Sequence, residues 1–213
     1  MKSIVIALSF IIYSCLSLSL RADELSDIQQ LQTRWADIKY QLPQAEQEKA
    51  FESLVSEAEK LQNANPNKPA YLIWEGIIRS TYAGAKGGLG ALEQVKHAKK
   101  LFEQSIAIAP DALAGSAYTS LGSLYYQVPG WPVGFGDDKK AGEMLLKGLS
   151  YNPDGIDSNY WYGDYLLDQK QYQKAVTAFE KALQAPARPG RESADAGRKL
   201  EVQKALAEAK KHL

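Results

Sequence analysis

Apolar residues recur at helical spacing along nearly the whole chain. Ile28, Leu31, Trp35 and Ile38 share one stripe within residues 25–42, and Phe51, Leu54, Val55 and Ala58 share another within residues 48–61, ahead of Pro66. Similar stripes continue to the C-terminus, and no segment sustains the alternation of a half-buried strand. The last of them, opening near Ser193, is sparse, with Leu200, Val202, Leu206 and Ala209 among its apolar positions. A helix with one face on its neighbour and the other in water has that pattern. The chain is therefore expected to be all-α, with about eight to ten helices.

Comparison of the chain with itself shows a repeat. Ala98-x3-Phe102 is followed by Pro110, Ala141-x3-Leu145 by Pro153, and Ala175-x3-Phe179 by Pro186, so the alanine-to-proline distances are 12, 12 and 11. Upstream of each lies a segment centred on Gly76, Gly122 or Gly163, and the middle one runs Tyr118-x2-Leu121-Gly122-x2-Tyr125. Small Gly and Ala let two antiparallel helices approach closely, an aromatic ring fills the gap between them, and proline ends the second helix. The glycine-to-alanine spacing is 12 in the third copy but 19 in the second and 22 in the first. The excess falls on the tracts 83–90 and 128–137, which are expected to be extended loops within their hairpins.

These motifs resemble the tetratricopeptide repeat (TPR), whose signature is W-x2-L-G-x2-Y, then A-x3-F, then P. The third copy matches best, through Asn159, Tyr162, Gly163, Ala175, Phe179 and Ala182. The resemblance implies a TPR-like α-solenoid of helical hairpins with two extended intra-hairpin loops and a C-terminal capping helix. The expected divisions are a signal peptide at 1–22, a degenerate hairpin at 23–66, three repeats at 67–187, and a linker with the capping helix at 188–213. A looser likeness links the chain to the TPR-type periplasmic proteins that accompany TRAP-type solute transporters. It rests on an export signal, decorated hairpins and the tract Phe135-Gly-Asp-Asp138.

The N-terminus is different in kind. Lys2 precedes an uncharged, mostly apolar run from Ile4 to Leu20, and Leu20-Arg21-Ala22 ends on a small residue before Asp23-Glu24. That layout is a secretory signal cleaved after Ala22, giving a periplasmic protein. Two alternatives remain: a lipoprotein anchored through Cys15 in Ile12-Tyr13-Ser14-Cys15, or an uncleaved anchor. Association with a membrane is expected only in those two cases.

Composition narrows the chemistry. The 25 basic and 25 acidic side chains cancel, which removes the electrostatic footprint of a nucleic-acid binder. Cys15 is the single cysteine, so disulfide scaffolds, zinc clusters and thiol catalysis are excluded together. His97 sits among Lys96, Lys99 and Lys100 with no nucleophile motif beside it, as a surface histidine would, and His212 is in the tail. The glycine-rich tract 83–90 lacks the P-loop pattern and a preceding strand. Asp137 and Asp138 suit a helix N-terminus. Arg188, Arg191, Arg198 and Lys199 suit a solvated basic face. No enzyme, metal site or cofactor is implied.

A protein or peptide partner is. In TPR proteins the first helices of successive hairpins line a concave face that binds peptides. Carried over by register, the resemblance places Thr119, Ser123 and Tyr126 there from the second copy, with Asp157, Tyr160, Asp164 and Asp168 from the third. An idle polar surface fits the same residues. The clustered Lys and Arg of carboxylate-clamp relatives are missing, so a partner's C-terminal acid group is not favoured. The second inserted tract adds Trp131 and Phe135, which either recognise a partner or fold back to plug the hairpin edge. The function implied is a non-enzymatic periplasmic interaction adaptor, with a small-molecule-binding accessory of a solute transporter as the alternative.

Processing is open to direct measurement. The mature chain is expected to begin at Asp23, and intact-mass spectrometry of the exported protein checks it. A diacylglycerol adduct on Cys15 would establish the lipoprotein route instead.

Overall fold

The computed structural model describes residues 24–213, so the proposed signal, its cleavage site and Cys15 lie outside the described residues. Nine helices make up these residues, with no strand among them. They are α1 (24–40), α2 (Gln44–Ala64), α3 (Pro69–Lys86), α4 (Gly88–Ile108), α5 (Ala112–Gln127), α6 (Asp138–Tyr151), α7 (Ile156–Asp168), α8 (Tyr172–Leu183) and α9 (Glu192–Lys210). Successive helices pair as antiparallel hairpins, α1 with α2 through to α7 with α8, and α9 caps the last.

The self-similar residues do the work their spacing suggests. A side chain on Gly76 would lie 2.5 Å from the Phe102 ring, one on Gly122 2.7 Å from Leu145, and one on Gly163 2.7 Å from Phe179. Each hairpin thus brings a glycine on its first helix against a large apolar residue on its second, and Ala98, Ala141 and Ala175 are fully buried beside them. Pro110, Pro153 and Pro186 follow the ends of α4, α6 and α8 within three residues. Asp137 caps α6, accepting a 3.0 Å hydrogen bond from the Lys140 backbone N–H. That bond favours the ionised carboxylate and lowers the Asp137 pKa.

Three expectations need correction. The first inserted tract is not an extended loop: α3 runs to Lys86 and α4 starts at Gly88, so the excess lengthens both helices. Only Gly87 and Gly88, at φ 66° and 60°, make the turn, a left-handed conformation that glycine adopts without steric cost. The second, 128–137, is a true loop, closed by backbone bonds from Gly136 N–H to Pro129 O (3.0 Å) and Asp137 N–H to Tyr125 O (2.8 Å). Leu200, expected on the packed face of the last helix, is 68% exposed, while polar Asp195 and Arg198 are buried. The basic cluster is accordingly not a solvated face.

The reason is closure of the array. The helices curl until α9 returns to α1: Ala194 joins the core of Ile28, Leu31, Trp35, Phe51 and Trp74. Gly197 lies flat against the Tyr40 ring, where any Cβ would overlap it. α5 opens with an irregularity at this inner surface, since Leu113, Ala114 and Gly115 take left-handed φ values of 46°, 54° and 73° before regular helix resumes. Gly115 has no room for a side chain beside Tyr151.

Two substitutions separate hairpin packing from closure. Ala175→Leu should overpack α7 against α8 and Gly197→Val should force Tyr40 off α9, each costing about 1–3 kcal/mol in urea unfolding. Only Gly197→Val should also raise proteolysis of α9 under native conditions. Equal protection of α9 in both variants would show that closure contributes nothing.

Candidate functional site

The first helices of the hairpins, α1, α3, α5 and α7, face inwards, and closure by α9 deepens their concave surface into half-open cavities. A cavity of about 780 Å³ is lined among others by Trp35, Thr81, Leu92, Ser123, Val133 and Trp161. A second, of about 320 Å³, shares Trp35, Ser80, Thr81, Ser123, Trp161 and Arg198 in its wall and adds Trp74, Ser116, Thr119, Arg188 and Arg191. Volumes of this order, with a mainly apolar wall and a few convergent polar groups, suit small ligands. The two insertion sites meet here, since Gly88 and Leu89 share the larger cavity's rim with Val128 and Pro129.

A charged network closes one end of this space. Arg198 donates from Nε to Asp157 Oδ1 (2.8 Å) and from Nη1 to Glu201 Oε2 (2.7 Å). Its guanidinium lies over the rings of Tyr160 and Trp161, at 4.3 and 5.0 Å from their centroids. Arg188 donates to the other oxygen of Asp157 and to Asp195, each at 2.7 Å. On α1, Tyr40 donates its hydroxyl to Glu201 (3.1 Å), and Lys39 lies 3.6 Å from the same carboxylate. Burial pushes the Asp157 carboxyl up, but the Arg198 and Arg188 charges outweigh it and hold the pKa well below the usual range. Burial pushes the Tyr160 hydroxyl up to about 12, against the opposing pull of Arg198.

The residues carried over by register divide into two groups. Thr119, Ser123, Asp157 and Tyr160 line these cavities, although both oxygens of Asp157 are already engaged by arginine and Tyr160 is stacked under Arg198. Tyr126, Asp164 and Asp168 instead form a separate shallow pocket with Gln127 and Leu167. Tyr126 donates to Asp164 at 2.6 Å there, and burial followed by the Asp164 charge raises its pKa well above the ordinary phenol value. The loop aromatics part company. Phe135 packs edge-on against Tyr125 with centroids 5.8 Å apart, whereas Trp131 is 91% exposed. The sequence reading missed Trp35, Trp74 and Trp161 as lining residues; Trp35 and Trp74 meet edge-on between neighbouring hairpins, and Trp161 joins them in the wall of the smaller cavity.

Among the described residues, no group of three or more His, Cys, Asp or Glu side chains is placed to hold a metal ion. His97 is half exposed, 3.8 Å from Glu75, and burial lowers its pKa. No described helix is long and apolar enough to cross a membrane.

The Asp157 network has a pH signature. A carboxylate with a depressed folded-state pKa stabilises fully above its unfolded value of about 3.9 and loses that contribution as pH falls through the folded value. Wild-type melting temperature should therefore fall steeply below about pH 4, and more shallowly in Asp157→Asn. At neutral pH that variant should be destabilised by about 1–3 kcal/mol, because two guanidinium groups lose their shared acceptor. Parallel melting curves of the two proteins from neutral to acid pH would exclude the assignment.

Comparison with known proteins gives one family match. Residues 156–188, which hold α7, α8 and the start of the linker, match the family described as "Tetratricopeptide repeat". No curated protein matches the chain. Among solved structures it is similar to a "Crystal structure of MamA" at 19% identity and TM-score 0.45, covering 76% of this chain and 88% of that one. A second, "Crystal structure of MamA protein", is 17% identical at TM-score 0.45, covering 88% of this chain and 92% of the other. With repeat spacing, glycine–aromatic packing and the family match in agreement, the chain is an all-α helical-repeat protein whose residues 156–188 form a tetratricopeptide repeat.

Proposed function

We propose that this protein is a non-enzymatic, exported interaction adaptor, and that its partner docks on the hairpin edge built by the loop 128–137. The observation that carries this reading is the division of labour within the loop. Phe135 anchors it against Tyr125, and the backbone bonds within the loop fix its course. Trp131 is left almost wholly in solvent, with exposed Val133 in the same loop and exposed Leu89 at the neighbouring turn. A large aromatic held out by a pre-ordered loop loses little further conformational entropy on binding, which is the economy of an interface anchor. Tetratricopeptide repeats serve typically in protein–protein contact, which supports an adaptor over an enzyme. The periplasm is the compartment implied by the N-terminal run of Lys2 and Ile4 to Leu20.

A second reading, a ligand-binding accessory of a solute transporter, is favoured by a different observation. Closure of α9 on α1 deepens the concave surface into two adjoining half-open cavities of small-ligand size.

The edge is tested by Trp131→Ala combined with Val133→Ser, compared with the wild type in crosslinking pull-downs from the exported fraction. Because both side chains are exposed, melting should stay within about 0.5 kcal/mol of wild type. Partners captured by the wild type should be lost. A stable double variant that captures the same partners would remove the edge from the function.

A further inference from the structure

The wall of the smaller cavity holds one arginine that forms no ion pair with a protein carboxylate. Its charged wall consists of Asp157, Arg188, Arg191 and Arg198. Arg188 and Arg198 are saturated by Asp157, Asp195 and Glu201. Arg191 has no ion pair or side-chain hydrogen bond among the described residues, and its Nε is buried without a partner. Burial and then the neighbouring Arg188 charge lower its pKa, against the opposing pull of Asp157 and Asp195. Its guanidinium is held over the Trp74 ring, 5.1 Å from the centroid. Trp74, only 4% exposed, lines the same cavity, and its indole Nε1–H is also buried without an acceptor. Both of those nitrogens are closed off by protein, whereas the Arg191 Nη groups are not and have no protein acceptor. An anion in the cavity would supply one.

The remaining wall limits what that anion is. Trp35 and Trp161 supply flat apolar faces beside Trp74, and Ser116, Ser120 and Asn152 supply neutral polar groups. A bulky or multiply charged anion would meet Asp157, whereas one carboxylate on a planar apolar body fits both the single unpaired guanidinium and the rings. We infer that this cavity is a binding site for a small planar organic monocarboxylate, with its acid group on Arg191 and its body among the tryptophans. This goes beyond the adaptor reading, uses no residue of the loop edge, and gives the cavity of the second reading a ligand class.

Isothermal titration calorimetry on the full mature chain tests the site with phenylacetate, phenylacetamide, sodium sulfate and a hexapeptide ending in a free phenylalanine carboxylate. Phenylacetate should bind saturably and at least about tenfold more tightly than its neutral amide, the difference a charge-assisted contact supplies. It should also outbind sulfate and the hexapeptide. Arg191→Gln should weaken phenylacetate about tenfold, and Arg191→Lys should recover part of the loss. The acid-to-amide ratio in the wild type stands as a test even where a variant folds poorly. Equal affinity for acid and amide, no saturable phenylacetate binding, or unchanged affinity in a folded Arg191→Gln protein would overturn the site. Tighter binding of the hexapeptide would overturn the free-acid ligand in favour of a chain terminus. The Trp131→Ala, Val133→Ser protein should bind phenylacetate normally, so failure of the edge and failure of the cavity are told apart.

Discussion

Burial of the Arg198 guanidinium is the constraint on which the arrangement of the chain depends. A cation taken out of water is tolerated only where carboxylates and hydrogen-bond acceptors surround it. Here Asp157 comes from α7, Glu201 from α9 itself, and Tyr40 and Lys39 reach that glutamate from α1. These groups converge in one register of α9 only. The hairpins would stack without it, but the array would remain open and its inner surface would be a groove. Gly197 acts in the same place by removing the side chain that would keep α9 off the Tyr40 ring. Polar pairing and close approach thus specify one closure, and the cavities follow from it.

The hairpins were legible in the sequence because their packing is local and apolar. Gly163 and Phe179 lie on consecutive helices, and the same pairing recurs at Gly76 with Phe102 and at Gly122 with Leu145. Closure was not legible, for two physical reasons. Its contacts join residues far apart, as Tyr40 and Glu201 are, and no periodicity records them. Its buried face is also partly polar: Asp195 and Arg198 point inwards on α9 while Leu200 faces solvent, so hydrophobic spacing finds Val202 and Ala209 on the last repeat but not the polar contacts. The tract 83–90 misled through its glycines, which here serve a tight turn between two long helices. Trp131 and Phe135 have similar glycine and proline neighbours, so only the path of the folded loop separates the anchored ring from the exposed one.

The candidate surfaces differ in what they ask of a ligand. The loop edge is convex, exposed and aromatic, and suits a partner that brings its own pocket. The smaller cavity is concave, with three tryptophans and an arginine that forms no ion pair, and suits something small enough to enter it. Position supports both uses, since Val133 of the loop and Leu89 of the neighbouring turn stand at the rim of the larger cavity.

The meeting of α9 with α1 also governs how such a protein can change in length. An open solenoid accepts a duplicated hairpin at little cost, because each repeat touches only its neighbours. A ring does not: one more hairpin would part Gly197 from Tyr40 and leave Glu201 without Tyr40 and Lys39 across the junction. Copy number is therefore locked, and growth is confined to the interior of hairpins already present. The chain carries its surplus residues in those positions, as longer α3 and α4 in one hairpin and as the loop before α6 in the next.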